Sequence, residues 1–551
     1  ILSPLSRSPP LTLATIDWAI IVAFLLAALL IGLWSARRAG RSSAEFFLSG
    51  RHLPWWLLGM SMVATTFSTD TPNLVTDLVR TDGVAGNWRW WAFLLTGMLT
   101  VFVYARLWRR SGALTDNEFY ELRYSGRPAA FLRGFRALYL GLFLNVVIMA
   151  TVSLAAIKIG KVMLDSSPLE TILAAAAVTA LFSCLGGFRG VILTDCLLFV
   201  LAMTGAFAAA WFALDLPAVG GLEGLLGNPR VQEKLALLPV AREGPQDWAL
   251  LVELLLIPLA VQWWAAWYPG AEPGGGGYVA QRMLAARSER HALGATLFFN
   301  LAHYALRPWP WIIVALCSLV VFPDLESLQA QFATGDMPLE QVKHDLAYPA
   351  MLGRCLPAGW LGLVMASLVA AYMSTISTHL NWGSSYLVND LYTRFLRPGA
   401  GQREQVLAGR VLTLAMMVLG GGLALALSHA REAFDIILGL GAGTGLVYLL
   451  RWFWWRVNAW SEIAAMTAAG LCALALPLAG KENLPGWVAR WSFPLTVALT
   501  TLVWVAVTLA TRPVAEARLR SFCRRIRAGG PGWEPVRRRA REAGEPLPEE
   551  G

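Results

Sequence analysis

The chain has 551 residues, of which 56% are hydrophobic and only 15% are charged, and its mean hydropathy is +0.53. Soluble domains carry about 25% charged residues, so this composition argues against a soluble enzyme or a nucleic-acid-binding protein. The net charge of +9 is typical of membrane proteins that keep lysine and arginine on the cytoplasmic side. We therefore predict an all-α polytopic membrane protein.

Apolar segments of about twenty residues are long enough to cross a bilayer as helices. Positive charge concentrates between alternate segments and in the C-terminal region, which indicates an outside N-terminus and an inside C-terminus. The segments predict thirteen spans, at 15–36, 53–79, 87–108, 134–162, 167–185, 190–214, 248–268, 293–322, 357–392, 406–428, 432–452, 458–480 and 491–511.

The spans divide the chain into three parts. A short extracellular tail (1–14) precedes the transmembrane domain (15–512), and a basic cytoplasmic tail (513–551) follows it. The cytoplasmic tail is rich in arginine and punctuated by proline and glycine. We expect one cytoplasmic helix in this tail, followed by a disordered end near anionic lipid.

Two of the predicted spans contain residues that prevent a continuous helix. Residues 64–72 include five hydroxylic side chains and an acid and end at a proline, and residues 262–277 contain two prolines and four consecutive glycines. A further break is expected near 434–445. Irregular backbone is tolerated at membrane depth where it lines a cavity. Two broken helices at matching positions indicate a transporter with inverted repeats, and kinked helices of a channel or sensor are the alternative.

The ninth predicted span carries four hydroxyl groups within five positions, from Ser374, Thr375, Ser377 and Thr378. Neutral oxygens suit a hard monovalent cation, and a broken helix nearby offers free carbonyls. Hydroxyls that bond back to their own helix, or that ease close helix packing, are the alternative. Asp195 lies in the sixth span and is expected to be a partner for a cation or hydroxyl, unless it lies in water at the cytoplasmic rim.

Asn300, His303 and Arg307 share one face of the eighth predicted span. A charge near the middle of a span costs about 2.5–3.5 kcal/mol, so Arg307 needs a partner. One interpretation is that its guanidinium holds an anionic or zwitterionic solute. The other is structural, with Arg307 paired to an internal carboxylate or capping carbonyls freed by Pro308 and Pro310.

At these positions the chain resembles the sodium:solute symporter family, over roughly residues 15–512. The resemblance is carried by motifs at 47–56, 115–124, 186–195, 281–287, 371–381 and 390–392. It implies the leucine-transporter-type fold of two inverted five-helix repeats. On this basis we expect a leading helix (15–36), repeats at about 53–214 and 248–452, and trailing helices at 458–511.

The resemblance also implies sodium as the coupling ion. The family's sodium site maps onto the carbonyls or hydroxyls of Ala64, Phe67, Ala371, Ser374 and Thr375. Some members hold a second sodium ion, which maps onto Asp195, Ser374, Ser377 and Thr378.

The positions that bind solute in the family's sugar carriers match less well. In the sugar carriers, the stretch that corresponds to 90–93 supplies a carboxylate that faces the sugar, whereas here this stretch is aromatic. A lysine and a glutamine of the sugar carriers correspond to positions near His303 and Asp435. These departures argue against a sugar, and one hypothesis is an anionic or zwitterionic solute held by Arg307. The candidate solute-binding residues are Thr66, Asp70, Trp90, Gln262, Trp267, Asn300, His303, Arg307 and Asp435.

These observations predict a sodium-coupled symporter that imports a small organic solute through the cytoplasmic (inner) membrane by alternating access. A non-transporting solute sensor and a proton-coupled symporter are the alternatives. Residues 513–551 are too few for a signalling output domain. The chain has no H-E-x-x-H pattern or Walker loop, so we do not expect an enzyme.

Overall fold

The computed structural model describes residues 13–39, 42–68, 70–164, 166–239, 245–265, 273–332, 339, 342–427, 441, 443–479 and 485–548. Within these ranges the secondary structure is helical, and the one strand-type contact is an isolated bridge between Leu53 and Ala286. Apolar side chains from most of the helices merge into one large buried cluster. The predicted all-α class is confirmed.

Eight helices of the described residues are long and apolar enough to cross a membrane. Several other predicted spans are shorter apolar helices, or run partly through residues outside the described ranges. The count of thirteen spans and the orientation of the termini therefore remain predictions.

We number the helices in chain order. The N-terminal helices are α1 (Thr15–Ala39), α2 (Ser43–Leu48), α3 (Trp55–Thr66), α4 (Asp70–Asp82), α5 (Val84–Ser111), α6 (Phe119–Arg123), α7 (Gly126–Lys161) and α8 (Pro168–Leu214). Inside α8, Gly187 has non-helical backbone angles (φ 54°, ψ −161°). This glycine separates the two spans predicted at 167–185 and 190–214.

The remaining helices follow the same pattern of long apolar segments and short connections. They are α9 (Gly221–Gly227), α10 (Pro229–Gln232), α11 (Trp248–Gln262), α12 (Gly277–Ala285), α13 (Glu289–Val321), α14 (Leu325–Phe332), α15 (Ala347–Cys355), α16 (Trp360–Leu396), α17 (Gln402–Ala426), α18 (Gly445–Leu450), α19 (Ala459–Ala479), α20 (Gly486–Ala510), α21 (Glu516–Ile526) and α22 (Glu534–Glu542). Short 3₁₀ turns lie at Ser49–Arg51, Asp116–Glu118, His344–Leu346 and Pro531–Trp533.

The helix break predicted at 64–72 is present. Helix α3 ends at Thr66, Phe67 has φ −93° and ψ 80°, and α4 begins at Asp70. The Phe67 amide bonds to the Ala64 carbonyl at 3.1 Å, which tightens the last turn. Helix ends leave backbone carbonyls without helical donors, so this end of α3 is rich in acceptors. The break predicted at 262–277 is also present, because α11 ends at Gln262 and α12 begins at Gly277, with residues 266–272 outside the described ranges. Most of the break predicted at 434–445 lies outside the described residues.

Helix α13 widens into a π-helical turn at Leu301–Leu306. Pro308 and Pro310 follow directly, and proline cannot donate the backbone hydrogen bond that would keep the regular helical spacing. The Arg307 amide instead bonds to the Ala302 carbonyl at 3.1 Å. The widened turn carries His303.

The leading helix α1 packs against α8 and α16. Asp17 is buried in α1, and its Oδ1 accepts hydrogen bonds from the backbone amides of Gly359 and Gly362, each at 2.7 Å. These amides begin α16, where a carboxylate is favoured by the helix dipole. One side chain of α1 thus caps the helix that carries the predicted sodium ligands.

The C-terminal tail is folded beyond its first helix, so the predicted disordered end is wrong for residues up to 548. Apolar residues spaced three or four apart give α21 a buried face, and Phe522 and Ile526 lie on it. Trp533 is fully buried, and its Nε1 donates to the Trp452 carbonyl at 2.7 Å.

Candidate functional site

The residues predicted for the sodium site lie at the end of α3 and in the middle of α16. Ala64, Phe67 and Ala371 are at most 2% exposed, and Ser374 and Thr375 are fully buried. The Thr375 hydroxyl donates to the Thr65 carbonyl at 2.9 Å. This contact brings the hydroxyl cluster of α16 to the helix break, as predicted from the sequence.

Asp195 of α8 lies beside the same part of α16. It is fully buried and accepts a hydrogen bond from Ser374 at 2.7 Å and a short one from Ser61 of α3. The alternative position for Asp195, in water at the cytoplasmic rim, is therefore wrong. The Ser377 hydroxyl donates to the Ser374 carbonyl of its own helix at 3.1 Å.

Arg282 of α12 reaches into the residues predicted for the second sodium ion. Its Nη2 lies 3.5 Å from Asp195 Oδ2, 2.8 Å from the Thr378 hydroxyl and 3.0 Å from the Thr65 hydroxyl. Its Nε donates to the Ser61 hydroxyl at 2.9 Å. In this state a guanidinium therefore supplies the positive charge among these oxygens.

A cavity lies next to the helix break, between α3, α5, α12 and α13. Its empty volume is about 550 Å³, open solvent included. Part of its wall is apolar, from Phe93, Gly97, Gly275, Val279 and Phe299, and the rest carries polar side chains. The polar side chains of the lining are Thr66, Thr96, Thr100, Tyr278, Thr296, Asn300, His303 and Tyr304.

Thr66 connects this cavity to Arg307. Its hydroxyl lies 3.0 Å from His303 Nδ1 and accepts a hydrogen bond from Arg307 Nη1 at 3.0 Å. Arg307 is 2% exposed, and its guanidinium stacks over the Trp311 ring at 5.3 Å. Arg307 does not belong to the cavity lining, because Thr66 stands in front of it.

The other predicted solute-binding residues take different positions. Asn300 lines the cavity and donates to the Thr296 carbonyl at 2.8 Å, and Asp70 is hydrogen-bonded to Ser68 and lies within electrostatic reach of Arg307. Trp90 and Gln262 are not among the lining residues. Trp267 and Asp435 lie outside the described residues.

Trp90 supports the wall of the cavity from behind, whereas Gln262 joins two helices. The Trp90 ring stacks on Tyr304 with centroids 5.8 Å apart and meets His303 edge-on at 5.6 Å. Gln262 Nε2 donates to the Arg89 carbonyl at 2.8 Å, which ties α11 to α5. Trp90 thus helps to position two residues of the polar lining.

Sequence reasoning missed several residues of both sites. Thr96 and Thr100 follow each other at helical spacing in α5, a pattern that signals a shared polar face. Arg282 belongs to the family-like motif at 281–287, but its contact with Asp195 joins residues 87 positions apart. No local pattern indicates such a pair.

Comparison with known proteins agrees with this geometry. The model of the sodium:solute symporter family matches residues 46–468. The chain is 28% identical to sodium/myo-inositol cotransporter 2 of Sus scrofa, over 86% of this chain and 72% of that protein. It is 25% identical to sodium/glucose cotransporter 4 of Danio rerio (92% and 80% covered) and to the sodium/glucose cotransporter of Vibrio parahaemolyticus (82% and 82%).

A solved structure of a sodium-coupled sialic acid symporter matches the chain with a TM-score of 0.69 at 20% identity, and the match covers 91% of this chain and 99% of that one. This likeness confirms the predicted leucine-transporter-type fold. The family match extends over most of the chain and includes the broken helix α3–α4, the cavity and the hydroxyl cluster of α16. The chain belongs to the sodium:solute symporter family and is a multi-pass membrane protein that works as a sodium-coupled symporter.

Proposed function

We propose that the chain imports a neutral polyhydroxylated solute together with sodium across the cytoplasmic membrane. The observation that carries this proposal is the cavity beside the helix break, whose lining combines hydroxyl, amide and imidazole groups with apolar residues. Such groups donate and accept hydrogen bonds and match the alternating donors and acceptors of a polyol. Relatives named for glucose and myo-inositol, at 25–28% identity, add support.

The coupling would act through the last turn of α3. The proposed sodium ligands Ala64 and Phe67 flank Thr66, which faces the cavity. Sodium held between these carbonyls and the hydroxyls of Ser374 and Thr375 would fix the end of α3 against α16. Because Thr66 belongs to the same turn, the cation favours the conformation that binds solute, and this differential affinity is what coupling requires.

A second candidate is an anionic or zwitterionic solute. The buried guanidinium of Arg307 lies one hydroxyl away from the cavity, and a carboxylate that displaced Thr66 from it would gain a bidentate partner. Asp70 lies within electrostatic reach of the same guanidinium and offsets its charge. This offset is why we favour the neutral solute.

Uptake into proteoliposomes tests the proposal. We expect an inward sodium gradient to drive accumulation of labelled myo-inositol or glucose, with no accumulation when choline replaces sodium. Accumulation of a carboxylate solute instead would select the second candidate. Uptake driven by a proton gradient without sodium, or solute binding with no uptake at all, would contradict the proposed coupling.

A further inference from the structure

Three guanidinium groups from distant parts of the chain meet at one end of the helix bundle. Arg51 ends the 3₁₀ turn after α2, Arg109 lies in the last turn of α5, and Arg525 belongs to α21. Arg51 Nη2 donates to the carbonyls of Gly112 and Ala113 at 2.8 and 2.9 Å. A methyl group on Gly112 would lie 3.2 Å from Arg525 Nη2 and 3.7 Å from Arg51 Nη1, so both groups flank this glycine.

The three positive charges are poorly balanced. None of the three forms an ion pair with a carboxylate in the described part of the chain, and Arg109 Nε donates to the Ala286 carbonyl at 2.6 Å. The negative charge of Glu118 favours the charged form of Arg51, but Glu118 Oε2 also accepts a hydrogen bond from the Leu114 amide at 2.7 Å. Burial, and then the charges of Arg109 and Arg525, lower the pKa of Arg51. Like charges held together cost free energy unless an anion joins them.

The position of the cluster indicates which anion is available. Trp55 and Trp56 begin α3 a few residues after Arg51, and both rings are exposed, by 41% and 48%. Exposed tryptophans at the end of a membrane helix mark the level of the lipid headgroups. The arginine cluster therefore lies at the membrane surface, at the end that the charge distribution predicts to be cytoplasmic.

We propose that Arg51, Arg109 and Arg525 bind the phosphate group of an anionic phospholipid headgroup. Guanidinium forks match phosphate oxygens in geometry and stay charged at any physiological pH. Arg525 comes from the C-terminal tail, whereas Arg51 and Arg109 come from the first half of the chain. A bound phosphate therefore joins the tail to the helix bundle and adds to the contact between Trp533 and Trp452.

Lipid titration of the full chain in detergent tests the site. We expect phosphatidylglycerol to raise the melting temperature and to stay bound in native mass spectrometry, and phosphatidylcholine to do neither. Arg525→Gln should weaken phosphatidylglycerol binding about fivefold, the effect of one arginine at an anionic surface. Because Arg525 is exposed, this variant is expected to fold normally. Arg538→Gln, with the same charge change on an exposed side chain of α22, should bind like the wild type.

Two results would overturn the proposal. One is equal phosphatidylglycerol affinity in the wild type and in Arg525→Gln. The other is stabilisation by inorganic phosphate alone that matches the lipid and is lost in Arg525→Gln, because a soluble anion would then be the ligand.

Discussion

The Arg282 guanidinium and the Asp195 carboxylate form an ion pair with 3.5 Å between Nη2 and Oδ2, and both side chains are fully buried. Hydroxyls complete the surroundings of both groups: Ser61 contacts both, Ser374 binds the carboxylate, and Thr65 binds the guanidinium. A buried pair adds little net stability, but the removal of one partner leaves an uncompensated charge.

Asp195→Asn should therefore destabilise the protein although it changes the shape of the side chain very little. We expect the free energy of unfolding to fall by about 3–5 kcal/mol, because Arg282 stays buried without its counter-ion. The double variant Asp195→Asn/Arg282→Gln should recover part of this loss. Chemical unfolding in detergent measures the two single variants, Asp195→Asn and Arg282→Gln, and the double variant. Additive losses in the double variant would show that the two groups do not depend on each other.

The same guanidinium bears on the predicted second sodium ion. Arg282 Nη2 lies 2.8 Å from the Thr378 hydroxyl, so a second sodium ion bound to this same hydroxyl would be strongly repelled by the guanidinium. Thr378→Val should therefore lower the free energy of unfolding by about 1 kcal/mol, which is the contribution of one hydrogen bond. It should leave unchanged the sodium midpoint, which is the sodium concentration that gives half of the sodium-dependent rise in melting temperature. A clear rise of that midpoint would show instead that Thr378 binds the ion when Arg282 moves away.

Thr375→Ala should weaken sodium binding without unfolding the protein. The Thr375 hydroxyl donates to the Thr65 carbonyl at the end of α3, and its loss removes one proposed sodium ligand. In wild type we expect a higher melting temperature in sodium chloride than in choline chloride of equal ionic strength. In the variant, about tenfold more sodium should be needed for the same rise, since one ligand contributes about 1.4 kcal/mol.

Thr413→Ala is the matched control for this measurement. Thr413 is also buried, but its hydroxyl donates to the Gly409 carbonyl of its own helix α17. Its removal should leave the sodium response as in the wild type. If Thr375→Ala needs the same sodium concentration as the wild type for the same rise in melting temperature, Thr375 is not a sodium ligand.

Some parts of the site were predictable from the sequence because they depend on local patterns. The hydroxyl run after Ala64, ended by Pro72, predicted the helix break, and the spacing of His303 and Arg307 predicted a shared face of α13. The hydroxyl cluster of α16 was predicted to meet the break, and Thr375 does so.

Other parts depend on how distant helices pack, which a single sequence does not show. The pairing of Arg282 with Asp195 and the position of Thr66 in front of Arg307 are both of this kind. The folded tail was missed for a different reason. Its many arginines dominate the composition, whereas its stability comes from a few buried residues such as Phe522 and Trp533.

Thr66→Val should impair solute binding and spare sodium binding. Valine keeps the shape of the side chain but removes the hydroxyl that contacts both His303 and Arg307. We expect the KM for the transported solute to rise about tenfold, because the loss leaves two buried polar groups without this partner. Thr204→Val is the control, since Thr204 is exposed on α8 and bonds only to the Val200 carbonyl. An unchanged KM, measured by uptake at a saturating sodium concentration, would place the solute elsewhere.

Trp533→Ala should release the C-terminal tail from the bundle. The indole donates to the Trp452 carbonyl, and its ring stacks on the buried Arg123 guanidinium with 4.9 Å between the ring centre and Cζ. A buried tryptophan replaced by alanine costs about 3–5 kcal/mol, and we expect this loss to let the tail detach.

Limited trypsin digestion measures the release, because the arginines of α21 and α22 become accessible once the tail detaches. We expect much faster cleavage after residue 512 in Trp533→Ala than in the wild type. Trp487→Ala is the control, since Trp487 is 64% exposed and distant in sequence from the tail. If both variants are cleaved at the wild-type rate, Trp533 does not hold the tail, and contacts along α21, such as that of Arg110 with the Ile526 carbonyl, must do so instead.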